Sequence, residues 1–160
     1  MNEKGKKMKR KAEKLVIKAH KFYLRKQFKI AYIYTLILRM VFSCDIPAET
    51  DFDASSQLVH NGLGCVFHPK ARIGKNCKIY QNVTLGGNGK IVNGSPIKGG
   101  PILEDNVAVF AGACVLGPIK IGHDSIVGAN AVVTKDVPPN SLVVGNPAII
   151  KPLSFEYYFG

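Results

Sequence analysis

Residues 67–133 read, in sixes, FHPKAR IGKNCK IYQNVT LGGNGK IVNGSP IKGGPI LEDNVA VFAGAC VLGPIK IGHDSI VGANAV, ending on Val133. The first place is apolar every time: Phe67, Ile73, Ile79, Leu85, Ile91, Ile97, Leu103, Val109, Val115, Ile121, Val127 and Val133. With 46% of the chain hydrophobic, such a run arises by chance in a given phase with probability about 10⁻⁴. Four places after each of these stands a mostly small or branched residue: Ala71, Cys77, Val83, Gly89, Ser95, Pro101, Val107, Ala113, Ile119, Ser125, Ala131 and Val137. Neither a helical period nor strict alternation returns to one face at every sixth residue unless the chain turns a corner each time. Turn chemistry is present at Gly74-Lys75-Asn76, Gly117-Pro118, Gly122-His123-Asp124 and Gly128-Ala129-Asn130. A six-residue unit cannot bury a face alone, so three units must form one turn of a coil that stacks on the next. The spacing predicts an all-β solenoid, a parallel β-helix of hexapeptide repeats. A β-sandwich would space its turns about eight to twelve residues apart.

Outward from this run the pattern changes. Ile46, Phe52 and Leu58 continue the step of six, but Phe67 follows Leu58 by nine, which puts an insertion at His60-Asn61-Gly62-Leu63-Gly64, and insertions in a solenoid map to one face. Residues 86–100 keep the phase yet hold Gly86, Gly87, Gly89, Gly94, Gly99 and Gly100, a density that favours an extruded loop. Charge is just as uneven. Residues 1–40 hold thirteen Lys/Arg against Glu3 and Glu13, a net of +11, while residues 41–160 balance nine against nine.

We read three parts: a basic N-terminal segment, 1–43, with one or two short α-helices; a β-helix domain, 44–151, with loop 86–100; and a tail, 152–160. The apolar stretch Ile30–Phe42 is too short to span a bilayer, and no secretory cleavage pattern follows it. With four cysteines and no CxxC, a cytoplasmic setting is expected, with possible contact between residues 1–40 and an anionic inner membrane face. The solvated-tail reading of that segment stands beside it. No nucleic-acid module is present, so nucleic acid is not an expected partner.

The strings Cys44-Asp45-Ile46-Pro47, His60-Asn61-Gly62-Leu63-Gly64, Ile79 through Lys90 (IYQNVTLGGNGK), Val133-Thr134-Lys135-Asp136-Val137-Pro138-Pro139 and Gly145-Asn146-Pro147-Ala148 strongly resemble the serine O-acetyltransferase family of hexapeptide-repeat acyltransferases. The resemblance runs from about Cys44 to Lys151. It implies a left-handed β-helix, a homotrimer, acetyl-CoA as donor and a site between subunits. Two departures stand out. The basic segment replaces a large helical domain, and Gly99-Gly100-Pro101 stands where the family carries its second catalytic histidine before a proline. These departures make the chain look more like the capsule and lipopolysaccharide branch, which acetylates sugars. We therefore expect an acetyl-CoA-dependent O-acetyltransferase with a saccharide acceptor. Serine O-acetylation, or a non-catalytic binding solenoid, are the alternatives.

Acetyl transfer to a hydroxyl needs a general base, and neutral histidine suits that role. His60, at the insertion, is the candidate, with His68 the alternative. His20 is expected to be solvated, and His123 to be a corner residue. Asn61 and Gln81 are candidates for holding the acceptor, although Gln81 reads equally as an outward polar residue. Backbone N–H groups at Gly86 and Gly87, or at Ala111 and Gly112, could meet a developing oxyanion. The resemblance further implies that Ala111, Gly112 and Ala129 line the pantetheine arm, with Thr134 and Lys135 toward the phosphates, where Lys135 reads equally as a solvated turn residue; Lys151, in the terminal segment, is a further candidate for the phosphates. Cysteine nucleophiles and metal ligation are not expected, since Cys77 is an inward position and no close histidine pair exists.

Overall fold

The computed structural model describes residues 11–96 and 98–155. Residues 1–10 of the basic segment, the repeat residue Ile97 and residues 156–160 of the tail lie outside the described residues.

The chain first forms a helical hairpin. In α1 (Lys11–Leu24), Ala12, Val16 and Ala19 recur at i, i+4 and i+7 and are buried. In α2 (Phe28–Phe42), Ala31 and Leu38 are buried. Ala19 and Ala31 are small enough to let the helices approach, and Phe22 stacks on Tyr34 with centroids 5.5 Å apart. Helix α2 stops at Ser43, whose left-handed backbone closes the last turn: the Ser43 N–H donates to the Arg39 carbonyl and the Cys44 N–H to the Leu38 carbonyl.

The coil begins immediately after. Its strands are mostly two residues long and stack into three faces. Face one holds β1 (Asp51–Phe52), β4 (Arg72–Ile73), β9 (Ile102–Leu103) and β12 (Lys120–Ile121). Face two holds β2 (Gln57–Leu58), β5 (Lys78–Ile79), β10 (Ala108–Val109), β13 (Ile126–Val127) and β15 (Ser141–Val144), closed by antiparallel β16 (Ile149–Pro152). Face three holds β3 (Val66–Phe67), β6 (Thr84–Gly86), β11 (Cys114–Leu116) and β14 (Val132–Val133). Every rung within a face is parallel apart from the closing strand.

Along regular turns of the coil, partners lie eighteen residues apart, as Val66 with Thr84 and Ala108 with Ile126. Asp51 instead pairs with Arg72, twenty-one residues on, which locates the three inserted residues at 59–65. Arg72 pairs with Ile102, thirty residues on, so twelve residues leave the coil between β6 and β9. Those twelve include β7 (Ile91–Val92) and β8 (Ser95–Pro96), an antiparallel hairpin closed by Asn93 and Gly94, both at positive φ.

This excursion falls within the glycine-rich stretch 86–100 that favours an extruded loop, and Ile91, although in phase with the repeat, is not inward. It is 69% exposed, and Gly89 and Ser95 face outward as well. Twelve is a multiple of six, so a loop of that length preserves the phase without belonging to the repeat. The Asn93-Gly94 pair is the sequence signal that marks the excursion. The remaining described first-place residues of the repeat, from Phe67 to Val133, are buried and form one continuous core.

Helix α1 lies over the first turn of the coil and closes it. There the backbone of β2 would face solvent or an apolar surface, and Glu13, only 3% exposed, accepts the Leu58 N–H at 2.9 Å. A solenoid end requires such a cap. His20 joins this seam, with Nδ1 2.9 Å from the Ala48 carbonyl, so it is half-buried and not solvated as expected. Removing the Glu13 carboxylate as Glu13→Ala leaves a buried donor unmet, which should cost about 1–3 kcal/mol. Urea unfolding should show a lower midpoint with an unchanged m-value. An unaltered midpoint would show that the cap carries no stability.

Candidate active site

Three edges join the three faces. The edge between faces one and two is made of four-residue corners, and its polar groups satisfy one another: Asn76 Nδ2 donates to Asn106 Oδ1 at 3.3 Å, Asn106 Nδ2 to Asp124 Oδ1 at 2.8 Å, and Lys75 N–H to Asp105 at 2.8 Å. Accepted hydrogen bonds hold the Glu104 and Asp124 carboxyls below their ordinary range, from the His123 N–H for Glu104 and from the His123 side chain for Asp124. His123 sits here with Nδ1 2.7 Å from Asp124.

The edge between faces two and three is different. Along it lie His60 and Asn61, then Gln81, then Ala111 and Gly112, then Ala129, so the structure brings six of the expected residues onto one corner column. The inserted residues form a 3-10 turn, Val59–Gly62, in which His60 and Asn61 are both left-handed at φ 56°. Elsewhere in the described coil, non-glycine residues at positive φ are all Asn or Asp; His60 is the exception. A histidine held there stores backbone strain of about 1–2 kcal/mol, typical of functional turns.

Two features maintain that turn. Cys44 lies beneath it, and its thiol donates to the Gly62 carbonyl at 2.8 Å. Tyr80 meets the His60 ring edge-on at 6.4 Å and is itself stacked on Phe110 at 4.7 Å. Neither role was expected from sequence, although Tyr80 and Phe110 each follow an inward residue at equivalent corners. His60 itself is exposed, and its ring nitrogens make no hydrogen bond among the described residues. Beside it, Asn61 Oδ1 and Gln81 Oε1 are buried without a partner. A Cβ on Gly112, at φ 71°, would collide with the Asn130 amide, so the column stays shallow there.

Gly86 and Gly87 lie instead at the edge between faces three and one, as do Thr134 and Lys135, both exposed. His68 occupies this edge too. Its Nδ1 accepts the Lys70 N–H at 3.0 Å, which in the neutral ring leaves the proton on Nε2. A Cβ on Gly100 would stand 2.9 Å from His68 Nδ1 and 2.8 Å from the Ala71 nitrogen. The space beside residue 100 is thus held by the His68 imidazole. Lys151 lies apart from both columns, in β16, opposite Leu142. Among the described residues no group of His, Cys, Asp and Glu is placed to hold a metal.

These features define a hexapeptide-repeat protein with a left-handed parallel β-helix and an open polar column on one edge. No family model matches the chain. Its relatives are serine acetyltransferases. That of Bacillus pumilus is 38% identical over 130 residues, covering 81% of this chain and 57% of the relative. The crystal structure of Neisseria gonorrhoeae serine acetyltransferase in complex with serine aligns with a TM-score of 0.77 at 33% identity, over 86% of this chain and 54% of that one. Brucella abortus serine acetyltransferase in complex with coenzyme A aligns at 0.78 and 32%, over 87% and 54%. By sequence and fold alike, the chain is related to the serine acetyltransferase family of hexapeptide-repeat proteins. It spans a little over half the length of these relatives.

The comparison corrects the expected saccharide acceptor and the capsule and lipopolysaccharide branch, because the relatives are named for serine. The missing histidine at Gly100 suggested otherwise. Sequence order could not show that His68, thirty-two positions earlier, stands in that space.

The thiols are positioned for packing. Burial pushes Cys44 up to about 12, with Cys65 nearby adding to the shift, and pushes Cys65 and Cys77 up to about 11. Only the thiolate is nucleophilic. In the native protein at pH 8, a disulfide reagent should therefore leave Cys44, Cys65 and Cys77 unmodified, and all three should react once guanidinium unfolds the chain. Rapid native labelling at Cys44, read by mass spectrometry, would contradict the tight seat beneath the His60 turn.

Proposed function

We propose that this protein transfers the acetyl group of acetyl-CoA to the hydroxyl of L-serine, with His60 as the general base. The observation that carries the reading is the column itself: an imidazole held in a strained turn beside two buried amide oxygens, none of them hydrogen-bonded among the described residues. The thioester supplies the acetyl group. His60 takes the hydroxyl proton as the serine oxygen bonds to the thioester carbonyl carbon, and gives it to the coenzyme A thiolate as the C–S bond breaks, a contribution worth roughly 10²- to 10⁴-fold in rate. Asn61 and Gln81 accept from the serine ammonium, a donor that fits two bare acceptors.

His68 acts as donor and not as base. With Nδ1 engaged by Lys70, its Nε2–H is free to meet negative charge developing on the carbonyl oxygen, together with the Gly86 and Gly87 N–H groups. Ala111, Gly112 and Ala129 present little side chain along the column and leave room for a pantetheine arm, while Thr134 and Lys135 lie open to phosphate. The two columns stand on different edges of one coil. A homotrimer would set one column of each subunit against the other column of its neighbour, completing the site. Lys151, lying apart, contributes at most to phosphate contacts.

Release of coenzyme A should depend on L-serine. Its absence at saturating acetyl-CoA, with coenzyme binding intact by calorimetry, would overturn the acceptor. His60→Asn, which keeps a residue tolerant of the left-handed turn, should lower kcat by at least about a hundredfold with no loss of thermal stability. Activity within threefold of the parent would remove His60 from the proton transfer. Asn61→Ala and Gln81→Ala should each raise KM for serine about tenfold while altering kcat little, as expected for contacts made in ground and transition states alike.

A further inference from the structure

Helix α2 turns only one side toward α1. Ala31 and Leu38 are buried, whereas Phe28, Tyr32, Ile33, Leu36, Met40 and Val41 are 40–77% exposed. At 100° per residue these six side chains spread over more than half of the helix circumference. Exposed apolar area this continuous marks a surface made to be covered. The same surface borders a cleft of about 370 Å³ between the hairpin and the first turn of the coil, lined in part by Phe28, Tyr32 and Leu36.

Charge decides what covers it. From Lys14 to Cys44 the chain holds no acidic residue but carries Lys14, Lys18, Lys21, Arg25, Lys26, Lys29 and Arg39. Arg39 is bound to Asp45 at 2.6 Å. Arg25, Lys26 and Lys29 are exposed at the hairpin tip, next to exposed Leu24 and Phe28. A second copy of this face would bring the same cations against themselves. An anionic, apolar layer satisfies both parts of the surface at once.

We propose that the α1–α2 hairpin docks on an anionic lipid bilayer, with α2 lying in the plane of the interface and the cations of the tip and of α1 meeting lipid phosphates. At fifteen residues, α2 is about 22 Å long, shorter than the roughly 30 Å apolar core of a bilayer, so it rests on the membrane instead of crossing it. Accordingly, no helix among the described residues is long and apolar enough to cross a membrane. The coil-capping face of α1 stays in place, so docking requires no unfolding of the cap. The hairpin is therefore a built part of the fold and not a solvated tail.

The full chain should co-sediment with phosphatidylcholine vesicles containing phosphatidylglycerol and not with phosphatidylcholine alone. Binding should weaken as salt rises, and by about fivefold for each of Lys26→Gln and Lys29→Gln. Ile33→Glu with Met40→Glu should abolish it. Thermal stability and acetyl transfer to a soluble acceptor should be unchanged in that variant, since both side chains point away from the core. Equal sedimentation with neutral and anionic vesicles, or no binding to either, would overturn the proposal. So would a double variant that leaves vesicle binding intact, or one whose loss of surface shows only as a smaller assembly in analytical ultracentrifugation, the mark of a copy-to-copy contact.

Discussion

Everything in this fold depends on one inward side chain arriving at the same depth at each sixth residue. A strand of two residues has almost no independent stability, since a lone pair of rungs cannot offset the entropy of ordering it. Stacked in parallel, the same strands place Ile79 above Leu58 and below Val109, and Leu85 between Phe67 and Val115, so that each face becomes a column of branched aliphatic contacts. The backbone ladders then satisfy the N–H and C=O groups that the short strands expose. Register and packing enforce each other. A one-residue slip would turn a whole column outward.

The corners had to be made compatible with that step. A four-residue corner between two-residue strands bends sharply enough to require positive φ, and Asn76, Asn82, Asn106, Asp124 and Asn130 provide it at little cost. Stacked corners then become polar ladders. Ser56 and Ser125, buried at small-residue places, bridge adjacent turns through the Gly74 and Pro138 carbonyls, which satisfies both buried hydroxyl donors. The open first turn has no preceding coil, and α1 supplies what is missing, burying Val16 and presenting Glu13 to Leu58.

This explains what could be read from the residues alone. The coil, its inward column and its corner chemistry are periodic and local, so they are legible in order along the chain. The excursion at 87–100 leaves no break in the phase because its length is commensurate with the repeat; its glycine density and the Asn93-Gly94 turn betray it instead. Contacts across turns of the coil are not legible in the same way. That Cys44 seats the His60 turn, that Tyr80 flanks it, and that His68 stands beside Gly100 each depends on residues separated by whole turns of the coil plus their insertions. The same blindness to stacking let a glycine at position 100 steer the acceptor toward sugars.

Departures from the repeat are also distributed with a logic. Three residues are added between faces two and three, twelve between faces three and one, and the last turn is sixteen residues long because two are lost near Thr134–Asp136. All three irregularities fall on the two edges that flank face three. The remaining edge keeps its regular corners through four turns, and there the side chains meet each other's hydrogen-bonding needs. Where regularity is kept, polar groups are spent on the fold; where it is broken, His60, Asn61 and Gln81 are left with capacity unspent. A solenoid whose stability is distributed over every turn can tolerate such local breaks, because neighbouring rungs continue to hold register around them. That tolerance allows a strained, partly unsatisfied corner to persist in an otherwise saturated coil.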